Sequence, residues 1–200
     1  MALPAAAASL DRASDRELVA RCLAAGAGYD AAFDEIYRRH ADRVFGFLLK
    51  LTRSREAAED ALQETFVRVH RSLERFDPGR DLLVWLLQIA RYVAIDAFRV
   101  ERKVKRLEAA VSGERPEPVR DDPAGAAAEH ERAAVVNEVL DGLSIDDRAL
   151  LVLRHYHGLT FQAIGEVADC SARTAQNRVE AAARRFQLAL QARRGEEGGA

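Results

Sequence analysis

The residues able to do chemistry in this chain are few and scattered. There are five histidines and two cysteines in 200 residues. His155 and His157 form an H-x-H pair, but on a helix two such side chains diverge by about 200°. No thiol or carboxylate cluster in the sequence accompanies them, so a metal centre is not expected. Cys22 and Cys170 lie far apart in sequence, outside any C-x-x-C pair, and read as buried free thiols. The motifs G-x-x-x-x-G-K-[ST], G-x-S-x-G and H-E-x-x-H are all missing from the sequence. An enzyme is not expected, and neither is a cofactor.

What remains is the chemistry of recognition. In TFQAIGEVADCSARTAQNRV, Thr160 to Val179, two helical stretches flank a short turn. With Ala175 as reference, Ala175, Val179, Ala182 and Phe186 share one side of the second helix, while Arg173, Asn177, Glu180 and Arg184 fall opposite. Arginine can pair with guanine, and Gln176 or Asn177 with adenine. Thr174 and Arg178 suit phosphates. Six arginines and one glutamate lie between Arg173 and Arg194. Periodicity alone also fits a bundle helix with a solvated arginine face. A second basic cluster, Arg99, Arg102, Lys103, Lys105 and Arg106 around Glu101, follows a Pro-Gly loop and a helix carrying Trp85. Aromatic and basic groups beside a loop suit single-stranded bases, although a core Trp and a solvated helix end fit equally well. Asp60 and Glu64 are i,i+4, so two carboxylates share one helix face.

The elements that position these groups are helical. Alanine is abundant and aromatics are 6% of the chain, which favours helix over sheet. Ser14 and Glu17 form a capping box before a short helix. Helices are expected from about 30 to 51, from 54 to 75 with Ala58, Leu62, Phe66, Val69 and Leu73 as apolar stripe, and from 81 to 106 with Trp85 on the apolar side. Between Glu108 and Arg132 seven acidic residues face three arginines, and three of the five prolines lie there. That composition predicts a flexible acidic linker. A second helical unit follows, with Ser144, Thr160 and Ser171 as N-caps and Asp169 opening the turn. The expected fold class is therefore all-α, two small helical domains joined by a flexible linker. The boundaries are 1–13 (disordered tail), 14–106, 107–126 (linker), 127–192 and 193–200 (disordered tail). Net charge is −2, so any basic surface is local. The N-terminus lacks a signal-peptide pattern, and no apolar run approaches the roughly 20 residues needed to cross a bilayer. A cytoplasmic protein without membrane insertion is expected.

Three segments resemble the extracytoplasmic-function type of bacterial sigma factor, a group of the sigma-70 family: AEDALQETFVRV (Ala58–Val69), RFDPGRDLLVWLLQIARYVAIDAFR (Arg75–Arg99) and LDGLSIDDRALLVLRHYHGLTFQAIGEVADCSARTAQNRV (Leu140–Val179). The resemblance implies a region 2 that docks on the β′ coiled coil of core RNA polymerase and opens the −10 element, and a region 4 that reads the −35 element and contacts the β flap. It implies polymerase contacts at Asp60, Gln63, Glu64 and Phe66. It implies −10 contacts at Asp77, Gly79, Arg80, Asp81, Trp85, Arg91, Arg99, Arg102 and Lys103. It implies −35 contacts at Ser171, Arg173, Thr174, Gln176, Asn177, Arg178 and Arg184, and an anti-sigma factor as a further partner. The sequence departs from the family pattern at Tyr92, where Asn is common after Arg91, and at Arg173 and Gln176, where Gly and Lys are common. Two other readings are a sigma-like decoy that binds an anti-sigma factor and a stand-alone helix-turn-helix regulator.

Overall fold

The computed structural model describes residues 10–24, 28–112, 135–140 and 142–197, with side chains to Lys103 and Val104 in the first part and to Arg193 in the second. Among the described residues the regular structure is helical. The first half holds α1 (Asp15–Leu23), α2 (Tyr29–Thr52), α3 (Arg55–Ser72), a 3-10 turn (Leu73–Arg75) and α4 (Leu82–Ser112). The second holds a helical stretch over 135–140, then α5 (Ile145–His155), α6 (Phe161–Val167) and α7 (Ala172–Glu197).

Apart from α2, whose Gly28 cap makes no side-chain bond, the helices named above start on a capping side chain. Ser14 and Glu17 complete the capping box, with Glu17 N–H on Ser14 Oγ at 3.3 Å and Ser14 N–H on Glu17 Oε2 at 2.7 Å. Ser54, Ser144 and Thr160 accept from the third residue of α3, α5 and α6. Such side chains satisfy backbone donors that the helix itself leaves open. The ends differ from expectation. α4 continues six residues past Arg106 to Ser112, because Leu, Glu and Ala are good helix formers and no Gly or Pro interrupts 107–112; α7 passes 192 to Glu197, through Gly195. The assigned N-terminal tail is also held from residue 10 onwards. The Arg39 guanidinium donates to the carbonyls of Leu10, Asp11 and Ala13 at 2.7, 3.0 and 2.6 Å. The linker beyond Ser112, and the tails at 1–9 and 198–200, lie outside the described residues.

The two helical domains also pack against each other. A single cluster of buried side chains runs from Leu18, Ile36, Phe47 and Leu48 through Leu86 and Ala90 to Leu150, Leu153, Ile164 and Val179. Periodicity along one chain does not show which of two apolar faces will meet across it. One face of α2 packs on α3 and α4, and its C-terminal half meets α5. There Phe47 meets the His157 ring edge-on at 5.7 Å, and Lys50 lies 4.4 Å from the centre of the Tyr156 ring. Gly46 allows this approach, because a Cβ there would stand 3.2 Å from the Tyr156 hydroxyl. Arg148, 6% exposed, donates its Nη1 to the Leu51 carbonyl at 2.9 Å and its Nε to the Leu140 carbonyl at 3.1 Å. An α5 arginine thus caps the last turn of α2, where cations and donors are favoured.

Candidate nucleic-acid and polymerase surfaces

The reading helix is the plainest of the three surfaces. Asp169 adopts φ 53 in the turn before α7, a left-handed backbone that Asp tolerates better than most residues. The turn lies tight on α6. A Cβ on Gly165 would stand 2.6 Å from the Cys170 carbonyl oxygen, and Cys170 N–H donates back to the Gly165 carbonyl at 2.8 Å. Ser171 then caps α7, its Oγ accepting from Thr174 N–H at 3.1 Å and meeting Thr174 Oγ1 at 2.9 Å. Ala175, Val179 and Ala182 are buried, and Phe186 is half-buried. Arg173, Asn177, Arg178 and Arg184 are exposed. Gln176 is half-buried, and its amide donates to Glu180 Oε1 at 3.0 Å. Ser171 and Thr174 are therefore engaged in the cap, while the arginines and Asn177 are free to face outward.

On α3 the four residues assigned to polymerase separate into two kinds. Asp60, Gln63 and Glu64 are exposed. Glu64 is held by Arg68 Nε at 2.7 Å, and Arg68 also reaches Asp96 of α4 at 3.4 Å. Phe66 points inward. It is 6% exposed and packs edge-on against Tyr37 at 4.7 Å and Phe33 at 6.4 Å. It clamps α3 on α2 and cannot be a surface contact in this form. Tyr37, 44% exposed beside it, brings an aromatic edge to this surface. An aromatic on a largely buried stripe gives no sign that its ring edge reaches the surface.

The third surface begins at the loop before α4. Asp77 Oδ1 accepts from Gly79 N–H at 2.9 Å, and the Asp77 carbonyl accepts from Arg80 N–H at 2.9 Å. Asp81 caps α4, accepting from Val84 N–H at 3.0 Å. Both carboxylates shape the backbone. Trp85 is 9% exposed and lies against Phe76, centroids 4.8 Å apart. It belongs to the core and is not open to a stacked base. Gly79 and Asp81 are exposed, and Arg80 is half-buried. Further along α4, Arg99, Arg102 and Lys103 are exposed. Arg99 stands 3.8 Å from Asp96, and Arg102 lies 5.7 Å from the Phe98 ring centre.

The middle of α4 is covered by the second half of the chain. Arg91 is paired with Asp146 of α5. The Tyr92 hydroxyl donates to Asp169, and Gln88 Nε2 donates to the same carboxylate at 3.1 Å. That bond holds the phenolic proton of Tyr92, raising its pKa above the usual value. Arg80 stands 3.4 Å from Glu166 of α6. Gln88 was not among the expected residues, although it lies one turn before Tyr92. The H-x-H pair does not converge: His155 is exposed, whereas His157 is turned onto Phe47. Among the described residues no group of three or more His, Cys, Asp or Glu could hold a metal ion.

The two halves match known family descriptions. Residues 36–104 match sigma-70 region 2, and residues 134–186 match sigma-70 region 4. These define the class, a sigma factor built of regions 2 and 4. Among characterised relatives, RNA polymerase sigma factor CarQ of Myxococcus xanthus is 36% identical over 150 residues, 72% of this chain and 80% of that protein. ECF RNA polymerase sigma factor SigX of Bacillus subtilis is 29% identical over 155 residues, covering 74% and 80%. The chain belongs to the extracytoplasmic-function family of RNA polymerase sigma factors, and it directs promoter-specific transcription. Sigma factors bind core RNA polymerase and promoter DNA, and the family is a non-catalytic initiation factor.

Two solved structures share the fold. One is the sigma factor RpoE in complex with the anti-sigma factor NepR from Bartonella quintana (TM-score 0.62, 24% identity, 80% of this chain and 96% of that one). The other is CnrH in complex with the cytosolic domain of CnrY (TM-score 0.65, 22% identity, 89% and 97%). Among the described residues no helix is long and apolar enough to cross a membrane.

Proposed function

We propose that the chain acts in the cytoplasm by joining core RNA polymerase through the exposed face of α3 and placing its two halves on the two promoter elements. Asp60 and Gln63, with the Glu64 carboxylate held by Arg68, meet the β′ coiled coil as an acidic patch on a basic surface. The loop from Asp77 to Leu83 receives a −10 base, and Arg91, Arg99, Arg102 and Lys103 hold the adjoining backbone. Opening a duplex costs a few kcal/mol of pairing and stacking, which such contacts offset. Region 4 lays α7 in the −35 major groove, with Arg173, Gln176 and Asn177 at base edges and Arg178 and Arg184 on phosphates, and it also meets the β flap.

One observation carries this reading. α7 buries Ala175, Val179 and Ala182 and turns Arg173, Asn177 and Arg178 outward behind a capped start. That is the arrangement a groove-entering helix requires. The test is run-off transcription from promoters of its regulon with core enzyme and the purified chain. Initiation that depends on the chain is expected, and its absence at every such promoter refutes the reading. An anti-sigma factor is a further partner, since two proteins of the same fold are known in complex with one.

A second reading, a decoy that binds an anti-sigma factor without transcribing, draws on the Gln176–Glu180 bond, which ties up a base-reading amide. It predicts anti-sigma binding with no initiation in the same assay.

A further inference from the structure

The apolar stripe of α7 runs on past the core. Ala175, Val179 and Ala182 are buried, but Phe186 and Leu190, further along the same stripe, are only half-buried. They line a cavity of 610 Å³ together with Val136 and Leu140 from the helical stretch over 135–140. The buried side chains of Leu151 and Val152 in α5 form its floor. All of these groups are apolar, and the volume lies within the range of about 300–1,000 Å³ usual for small-molecule sites. The two helices that flank the cavity are tied together, because Arg193, one turn beyond Leu190, is paired with Glu138.

Polar groups enter the lining only from its exposed members, Lys50, His155, Tyr156 and Gln187. None of the lining residues carries a carboxylate. The Lys50 ammonium lies over the Tyr156 ring, 4.4 Å from its centre, and among the described residues no carboxylate pairs with it. A ring face occupies one side of an ammonium that has three donors, so Lys50 keeps the capacity to hold an anion. Charge and shape together define the ligand. The apolar space takes an aliphatic chain, and the rim takes a negative head. A neutral hydrophobe would leave Lys50 without a partner, and a cationic amphiphile would meet a like charge.

We propose that this cavity binds a long-chain monocarboxylate, a fatty acid in chemical class, with its tail among Leu151, Phe186 and Leu190 and its carboxylate on Lys50. Lys50 belongs to α2, whereas the apolar lining belongs to the second half of the chain. The bound acid therefore touches both halves and stabilises their packing by mass action. Neither polymerase nor DNA is needed for binding.

Equilibrium dialysis of the full chain against octanoate, decanoate and dodecanoate, each below its micelle concentration, tests the site. One molecule is expected to bind per chain. Affinity should rise roughly fourfold for each added methylene, to a Kd on the order of 10 μM for dodecanoate. Decanoate should bind about three- to tenfold more tightly than decanol. Lys50→Gln should abolish that preference while leaving the affinity for decanol unchanged. Ala183 also lines the cavity and is half-buried. Ala183→Phe fills the space and should weaken dodecanoate binding at least about tenfold, with the helical fold checked by circular dichroism. If that variant does not fold, the comparison of decanoate with decanol on Lys50→Gln decides alone.

Failure of the chain to retain dodecanoate overturns the proposal, as does undiminished binding by a folded Ala183→Phe chain. Equal affinity for decanoate and decanol in the unaltered chain also overturns it, because Lys50 would then hold no carboxylate. Sedimentation of the ligand-free chain addresses the other occupant of such a groove. A dimer that Ala183→Phe converts to monomer would assign the cavity to a second copy of the chain and overturn the proposal.

Discussion

Gly165→Ala is the substitution whose cost can be worked most directly from the geometry. A Cβ at this position would lie 2.6 Å from the Cys170 carbonyl oxygen, 3.2 Å from the Ser171 carbonyl carbon and 3.3 Å from the Ala172 nitrogen. All three neighbours are backbone, so none can turn aside by changing a rotamer. The turn must move by several tenths of an ångström, and overpacking of this kind costs about 1–3 kcal/mol. The bond from Cys170 N–H to the Gly165 carbonyl, 2.8 Å long, weakens with it, adding up to about 1 kcal/mol. Ala gains up to about 1 kcal/mol over Gly in helix propensity, which offsets part of the loss. The net expectation is a destabilisation of about 1–3 kcal/mol, or about 2–12 °C in Tm for a chain of this size. The same shift moves Ser171 and Thr174, and with them the start of α7, so −35 binding by the holoenzyme should fall even at temperatures where the variant is folded. Thermal unfolding followed by circular dichroism, together with a −35 duplex titration at 20 °C, checks both parts. A Tm unchanged or raised would refute the argument, because it would mean that the α6 turn has slack that the contacts deny.

On α3, Asp60→Lys should weaken core-polymerase binding at least about tenfold in a pull-down titration while changing stability by no more than about 0.5 kcal/mol. Phe66→Ala, by contrast, should lose about 3–5 kcal/mol of stability in denaturant unfolding, because it empties an aromatic contact between α2 and α3. Burial, with Arg43 and Lys50 nearby, pushes the His157 imidazole down to about 4. The unfolded chain takes up its proton near 6.5 while the folded chain does not, so stability falls as pH drops from about 6.5 towards 4. His157→Phe should lose less stability than the unaltered chain between pH 7 and 5, by no more than about 1 kcal/mol given a half-exposed ring, as read from urea midpoints. Glu180→Ala frees the Gln176 amide and removes a negative charge from the reading face, so a −35 duplex should bind the holoenzyme about two- to fivefold more tightly by anisotropy. An unchanged affinity would mean that Gln176 does not reach the bases.

Much of this was legible because it depends on neighbours in sequence. Ser14 with Glu17, Ser54, Ser144, Thr160 and Ser171 each mark a helix start through a bond spanning three residues. The stripe Ala175, Val179 and Ala182 predicted the buried side of α7. Phe66 and Trp85 show where two kinds of reading diverged. Their helical spacing placed both on apolar faces, and the structure buries both, whereas the family resemblance placed them among contact residues. The local periodicity carried the physical constraint. Asp77 and Asp81 likewise proved to be committed to the backbone of the loop. What the sequence did not reveal was the seam between the halves. Asp146 lies in the first turn of α5, where an acid complements the helix dipole, and Asp169 reads from sequence as a turn former. Both do those jobs, and nothing local marks Arg91 or Tyr92, more than fifty residues upstream, as their partners.

The bond between Arg148 and the Leu51 carbonyl spans 97 residues, and that separation has a consequence in time. A ribosome adds about 5–20 residues per second, so roughly 5–20 s pass between the making of Leu51 and the making of Arg148. During that interval α1 to α4 can emerge and fold while their cover has yet to be synthesised. Each new molecule therefore begins life uncovered and is shut only as its last third leaves the exit tunnel. The order of synthesis thus leaves Gln88, Arg91 and Tyr92 open for a time before Asp146 and Asp169 exist to pair with them.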